Sequence, residues 1–338
     1  MKNQERIFVI GHKNPDTDSI CSAIAYADIK NRTTQNKKYI PKRAGQINEE
    51  TRYVLNRFGV QPPAYLGNIG TQVKDMDIRI SPPADKSMSL KNAWDMMQEN
   101  SIVSLPIRDK DGCLEGLVTI GDIAKTYMDT TDSYLLSNAR TQYQRIAETV
   151  GGEVVEGNSH GYFVKGKVLV GTANPKMMEG YIEENDMIIM GDREEDHLQA
   201  ISQNVSCIIV GLNIVVSEKV VKLAHEKSIV IIRSPYDTFN IARLINQSIP
   251  VNYVMKRDNM VTFNTEDFTD DIQEVMIKNR HRAFPVINPH GKCIGTISRR
   301  NFLDMHKKKV VLVDHNEVDQ AVDNIEKAEI LEIIDHHK

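Results

Sequence analysis

The sequence predicts an α/β protein: a parallel-sheet domain built from both ends of the chain, interrupted by a paired α+β module and a second, small α/β domain. Three observations predict it. Short, wholly apolar runs occur near both ends; a segment repeats internally; and strand-like and helix-like stretches alternate between the two copies of the repeat. At 338 residues the chain is too long for one ordinary domain.

The end domain rests on Ile7-Phe8-Val9-Ile10, a polar loop, and a helix opening near Ser19 that places Ile20, Ala23, Ile24 and Ala27 on one face. Val310-Val311-Leu312-Val313 and the run holding Leu331, Ile333 and Ile334 read as two further buried strands. Continuous apolar runs are the mark of parallel strands covered on both faces.

The repeat is gapless from Leu105-Pro106-Ile107 and Phe284-Pro285-Val286 onward. Each copy has an apolar run, a turn (Asp111-Gly112 or His290-Gly291), a second apolar run and a helix, which predicts a β-hairpin leading into a helix. Amphipathic helices are predicted upstream of the copies, over 90–98 and 269–278. One copy buries too little alone, so side-by-side packing is expected. Between the copies, Val168-Leu169-Val170, Met187-Ile188-Ile189-Met190, Cys207-Ile208-Ile209-Val210 and Ile229-Val230-Ile231-Ile232 are apolar throughout, and helical segments at 194–203 and 218–226 separate the last three. That alternation predicts a small parallel α/β domain.

Composition narrows the function. Residues are 41% hydrophobic and 26% charged, as in a globular soluble chain. No run approaches the roughly 18 apolar residues of a membrane-spanning helix, and the polar start Met1-Lys2-Asn3-Gln4-Glu5-Arg6 lacks a secretory apolar core. The four cysteines show no CxxC spacing, so a reducing cytoplasm is expected. A net charge of -4 and 6% aromatics argue against a polynucleotide partner. They leave room for a small anion held by metal ions.

Acid and histidine clusters follow three apolar runs: Gly11-His12-Lys13-Asn14-Pro15-Asp16-Thr17-Asp18-Ser19, Asp314-His315-Asn316-Glu317 and Asp335-His336-His337-Lys338. In open parallel sheets the carboxyl edge is where ligands bind. Carboxylates with a few imidazoles suit Mn²⁺ or Mg²⁺, and Co²⁺ or Zn²⁺ as well. A carboxylate bridging two metals roughly 3.5–4 Å apart gives the two-metal arrangement of phosphoryl hydrolysis. Any one cluster alone is equally well a turn or a helix cap; three at three strand ends point to a site.

These segments resemble the first three motifs of the DHH phosphoesterases, and Asp-His-Asn-Glu with the lysine after the paired histidines resembles the family II inorganic pyrophosphatases. The resemblance implies that His12 and Asp16 hold one metal, that Asp18 and His336 hold the other, and that Asp314 bridges them. It further implies that Asp335 orients the site while His337 and Lys338 face pyrophosphate. That family carries another aspartate ligand downstream and a second lobe whose Arg and Lys close on pyrophosphate. Neither falls within 1–338, so the expectation is a shortened version of a longer protein, lacking the C-terminal lobe and part of its electrostatic clamp. Activity of this chain alone is not expected.

The repeats resemble CBS motifs. Thr119 with Asp122, and Ser298 with Asn301, open the helix after each hairpin. Asp or Asn there suits ribose hydroxyls, and a hydroxyl at a helix N-terminus suits a phosphate. Arg299 and Arg300 would add charge-assisted contacts. The plainer reading is that these residues are ordinary helix caps. The middle segment, with Gly191-Asp192-Arg193 and Val210-Gly211-Leu212 after two strands, resembles a DRTGG domain, and its place between two CBS motifs matches CBS-containing pyrophosphatases. The expected division is 1–72 and 309–338 for the DHH domain, 73–130 and 250–308 for the CBS motifs, and 131–249 for the DRTGG-like domain. Such proteins are typically homodimers, inhibited by AMP or ADP and activated by ATP, with two Mn²⁺, Co²⁺ or Mg²⁺ ions per site. Two other readings are a nucleotide-binding regulatory protein with an incomplete catalytic domain, and a different DHH phosphodiesterase.

Overall fold

A computed structural model describes residues 5–128, 132–172, 180–303 and 305–336. The chain divides into two compact units, one of Met1–Arg79, Phe263–Pro289 and Ile297–Lys338, the other of Ile80–Thr262 and His290–Thr296.

In the first unit the two ends of the chain form one sheet of five parallel strands. Their order is Glu329–Ile334, Lys309–Val313, Glu5–Ile10, Lys37–Arg43 and Ala64–Tyr65. Side chains alternate across it. Ile7, Val9, Val311 and Val313 pack with Ala23 and Ala27 of the helix Thr17–Thr33. Ile10, Val310 and Leu312 face the other way, onto Ala321, Val322 and Ile325. The helix begins at Thr17 because the Asp16 side chain accepts the amide of Ser19 (2.9 Å), satisfying a donor of the first turn. Lys30 and Tyr26 on this helix both donate to Glu332 of the outermost strand. The second repeat places Phe263–Asn264 parallel to Phe284–Ile287, with the helix Thr269–Lys278 between them in sequence.

The second unit holds the hairpin Ser104–Arg108 and Leu114–Thr119, antiparallel, with Gly112 at φ +86° in its turn. Only a residue without Cβ takes that angle at little cost. Helices Leu90–Glu99, capped by Ser89, and Ile120–Met128 flank the hairpin in sequence. The middle domain is a sheet in the order Glu153–Glu156, Val230–Arg233, Cys207–Val210, Met187–Met190, Val168–Val170. All neighbours are parallel except the antiparallel edge strand Glu153–Glu156. Ile188, Met190, Ile208, Val210 and Ile231 cover the helices Glu194–Ser202 and Glu218–Glu226 through Ala200, Ile201, Val220 and Ala224. Met187, Ile189, Cys207, Ile209, Val230 and Ile232 face a larger core shared with Leu105, Ile107 and Met97 of the first repeat.

The two repeats exchange their leading segments. Residues 72–77 lie in the unit that holds the body of the second repeat: the amides of Val73 and Lys74 donate to Asp267 O and Thr265 O (2.9 Å each), and Asn301 Nδ2 donates to Asp77 O (2.5 Å). Residues 250–256 reciprocate on the first repeat. The Val251 amide donates to Met88 O (2.8 Å), and Leu117 and Lys256 exchange N–H···O bonds of 2.9 and 3.0 Å.

Candidate functional site

The strand Glu5–Ile10 runs into Gly11 and His12 at the carboxyl edge of the end sheet. Ser19 Oγ accepts the His12 amide (3.1 Å), which ties the loop to the start of the helix. A Cβ on Gly11 would stand 1.9 Å from that Oγ, and one on Gly45 would stand 2.0 Å from Lys13 O, so glycine is needed at both places for the loop to pass. The Lys13 amide donates to Gln320 O (2.8 Å).

Asp314 is the first residue beyond Lys309–Val313 and takes a left-handed φ of +61°. That conformation costs a non-glycine residue about 1 kcal/mol or more. Its amide donates to Ile334 O (2.8 Å), which fixes Asp314 beside the end of the neighbouring strand, just before Asp335 and His336. The side chain of Asp314 is only 3% exposed, and its two oxygens face different neighbours. Oδ2 lies 3.4 Å from His12 Nε2, itself 3.8 Å from Asp16 Oδ1; Oδ1 lies 3.7 Å from His336 Nδ1. The donor atoms of His12, Asp16 and Asp314 lie within 4.8 Å of one another, and so do those of Asp18, Asp314 and His336. Asp18 accepts a hydrogen bond from Ser22 Oγ (3.0 Å).

This donor set fits a pair of hard divalent cations. A nearly buried carboxylate beside further acids needs compensating positive charge, and each of its oxygens is offered to a separate imidazole and carboxylate. A cleft of about 340 Å³ opens on the same edge, lined by His12, Lys13, Asn14, Asp314, Asn316, Glu317, Gln320 and Asp335. A second hollow of about 300 Å³ reaches Asp314, Asp335 and His336 beside Ser22, Ala25 and Tyr26. His337 and Lys338 lie outside the described residues.

Sequence reasoning assigns no role to His315, yet it is 1% exposed, with Nδ1 donating to Val313 O (2.9 Å). Burial pushes its pKa down. No local sequence signal announces this; the bond forms only because Asp314 turns back on its own strand.

The candidate nucleotide residues are brought together in pairs. Asp122 Oδ2 accepts from Thr119 N (2.9 Å) and Thr119 Oγ1 (2.6 Å), while Asp122 Oδ1 faces Lys256 Nζ at 3.2 Å. Asn301 Oδ1 accepts from Ser298 N (2.7 Å) and Ser298 Oγ (2.9 Å). The Arg299 guanidinium donates to Met276 O and Asn279 O at the end of the helix Thr269–Lys278, where carbonyls lack intrahelical partners and draw a cation, and to His281 O (3.1 Å) just beyond it.

Comparison with known proteins accounts for this arrangement. The CBS domain family matches residues 73–129 and 251–308, and the DRTGG domain family matches 145–248. The cobalt-dependent inorganic pyrophosphatase of Clostridium perfringens is 40% identical over 332 residues, covering 98% of this chain and 60% of that protein. A crystal structure of the CBS and DRTGG domains of the regulatory region of Clostridium perfringens pyrophosphatase, complexed with the activator diadenosine tetraphosphate, is 34% identical with a TM-score of 0.65; it covers 68% of this chain and 100% of that one. The chain carries a CBS and DRTGG regulatory region and is homologous over nearly its whole length to metal-dependent inorganic pyrophosphatases. A probable manganese-dependent inorganic pyrophosphatase of Thermotoga maritima is 35% identical over all of this chain and 61% of its own length. The chain thus spans about 60% of the length of these pyrophosphatases.

Proposed function

We propose that this chain carries the two-metal half of a pyrophosphate-hydrolysing centre together with the adenine-nucleotide-responsive module that regulates it. The reading is carried by the two oxygens of Asp314, one turned to His12 and the other to His336. His12 and Asp16 would hold one ion and Asp18 and His336 the other, with Asp314 within reach of both. The ions are Mn²⁺ or Co²⁺, with Mg²⁺ as the other hard cation the set accepts. Once bound, they supply Lewis-acid neutralisation of the phosphate oxygens and make water acidic enough to act near neutral pH.

The chain's own residues do the rest. Asp335 orients the rim, Lys13 places a cation in the cleft, and Asn14, Asn316 and Gln320 line it with hydrogen-bonding groups. Pyrophosphate is hydrolysed to two phosphates in the complete protein, with AMP, ADP or ATP acting through the CBS motifs.

The assembly we favour is a homodimer. An apolar groove of about 350 Å³ in the second unit, lined by Leu90, Trp94, Ile120, Ile123 and Tyr127, leaves Trp94 38% and Tyr127 42% exposed and suits a second copy. No helix among the described residues is long and apolar enough to cross a membrane, which accords with a cytoplasmic setting.

The test is Mn²⁺ binding by this chain, and phosphate release by a form carrying the remaining length of its relatives, each with Asp314 intact or changed to Asn. Asp314→Asn should abolish metal-dependent turnover and weaken Mn²⁺ binding at both positions. Full activity in that variant would sink the assignment. AMP binding without hydrolysis by the longer form would point to a regulatory protein instead.

A further inference from the structure

The two candidate nucleotide positions have the same local geometry and opposite availability. In both, one side-chain oxygen of the residue three positions past a Thr or Ser accepts that residue's amide and hydroxyl. The other terminal atom reaches the segment exchanged from the other repeat. Asn301 spends its amide on the Asp77 carbonyl, and both lone pairs of its oxygen are already taken by Ser298. A ribose hydroxyl that donates finds no acceptor there, and the second N–H of the amide is all that Asn301 has left to offer. Arg299 beside it is committed to three backbone carbonyls.

Asp122 differs. A carboxylate keeps spare acceptor capacity, and its free oxygen is covered by the ammonium of Lys256 (3.2 Å). The Lys256 side chain is 58% exposed, against 15% for Asp122, so the pair is weak and readily exchanged. The Lys256 backbone is held by both of its bonds to Leu117, on the strand that ends at Thr119. Its ammonium can therefore swing while its Cα stays beside the Thr119–Asp122 turn.

We propose that the nucleotide-responsive position is the one on the first repeat and that Lys256 is its specificity-determining residue, covering Asp122 while the site is free and meeting the phosphate once ribose hydroxyls take its place. This rests on the reading that the CBS motifs bind nucleotide. The ligand class is a ribonucleoside phosphate: the diol is received by Asp122 and the anion by Lys256. An uncharged nucleoside gains only the first contact and has to displace Lys256 with nothing in return.

Isothermal titration calorimetry on the whole chain with AMP and with adenosine tests this. Lys256→Met should weaken AMP about tenfold or more while adenosine binds as well as before or better, because its competitor is gone. Asp122→Asn should weaken both ligands, and Asn301→Ala should leave both within about twofold. Loss of AMP in Asn301→Ala with Asp122→Asn neutral would overturn the assignment, as would a Lys256→Met effect equal for the two ligands. If the unaltered chain bound neither AMP nor adenosine, the nucleotide reading itself would fall.

Discussion

Gly11→Ala tests whether the close approach of the first strand to the first helix is what gathers the metal ligands. The new Cβ would lie 1.9 Å from Ser19 Oγ, 3.0 Å from Ser19 O and 3.1 Å from Ser19 Cβ. Turning the serine hydroxyl away relieves the shortest contact but leaves the backbone oxygen, and it strips the His12 amide of its acceptor. Ordinary contact begins at 3.4 Å, so even with the hydroxyl turned away the helix start has to retreat by roughly 0.4 Å, the difference between 3.0 and 3.4 Å. It has little room, because Ala23 and Ala27 are packed on Ile7 and Val9. Overpacking of this kind costs about 1–3 kcal/mol, and the orphaned amide adds about 1–3. Asp16 and Asp18 lie just before Ser19, so they move with it, away from Asp314. Disturbing the support of metal ligands costs about 10–100-fold in affinity. Mn²⁺ titration calorimetry and urea unfolding should show both losses, and Ser19→Gly added to Gly11→Ala should recover part of the affinity. If Gly11→Ala bound Mn²⁺ within about twofold of the unaltered chain, at an unchanged urea midpoint, the ligands would not depend on this approach.

Two further outcomes follow from the same domain. Lys30 and then Tyr26, by donating to Glu332, hold its carboxyl below the usual glutamate range. A lowered folded pKa stabilises above the unfolded value near 4.3 and loses that contribution as pH falls through the folded value. Glu332→Gln should therefore cost under about 1 kcal/mol in urea at pH 7, because the pair is partly exposed, and the gap should close in acid; a gap independent of pH would rule the pair out as its cause. Mn²⁺ at about 100 times its Kd should raise unfolding free energy by about 2.7 kcal/mol, and Asp314→Asn should abolish the thermal shift seen in a melting scan; an equal shift in both forms would place the ion elsewhere.

Much of this was readable from residue order. The runs at 7–10 and 310–313 are apolar on both faces because helix and loop cover both faces, and the helices Thr269–Lys278 and Glu218–Glu226 follow their apolar spacing and, for the latter, a serine cap. The strand Lys37–Arg43 was hidden: of its residues only Tyr39 is buried, so its pattern is that of a polar loop. Glu153–Glu156 was hidden in the same way, as an edge strand half turned to water. The grouping of His12, Asp16, Asp18, Asp314 and His336 was legible because their chemistry is local to three strand ends. Lys256 on Asp122 and Arg299 on its three carbonyls were not, since long flexible side chains choose partners by proximity in the fold, and no periodicity records that.

The exchange of leading segments sets an order on synthesis and folding. The strand Glu5–Ile10 has one sheet neighbour close behind it, but its other, Lys309–Val313, emerges some 300 residues later. Leu117 likewise waits for Lys256, and Val73 for Asp267. Contacts so far apart in sequence close slowly, because the loop entropy is spent before they form. The middle sheet from Glu153 to Arg233 is complete within one stretch and is expected to form first, drawing in the two repeats on either side of it. Until the last strands arrive, the first strand keeps an open edge, and the nascent chain depends on whatever shields that edge from other chains.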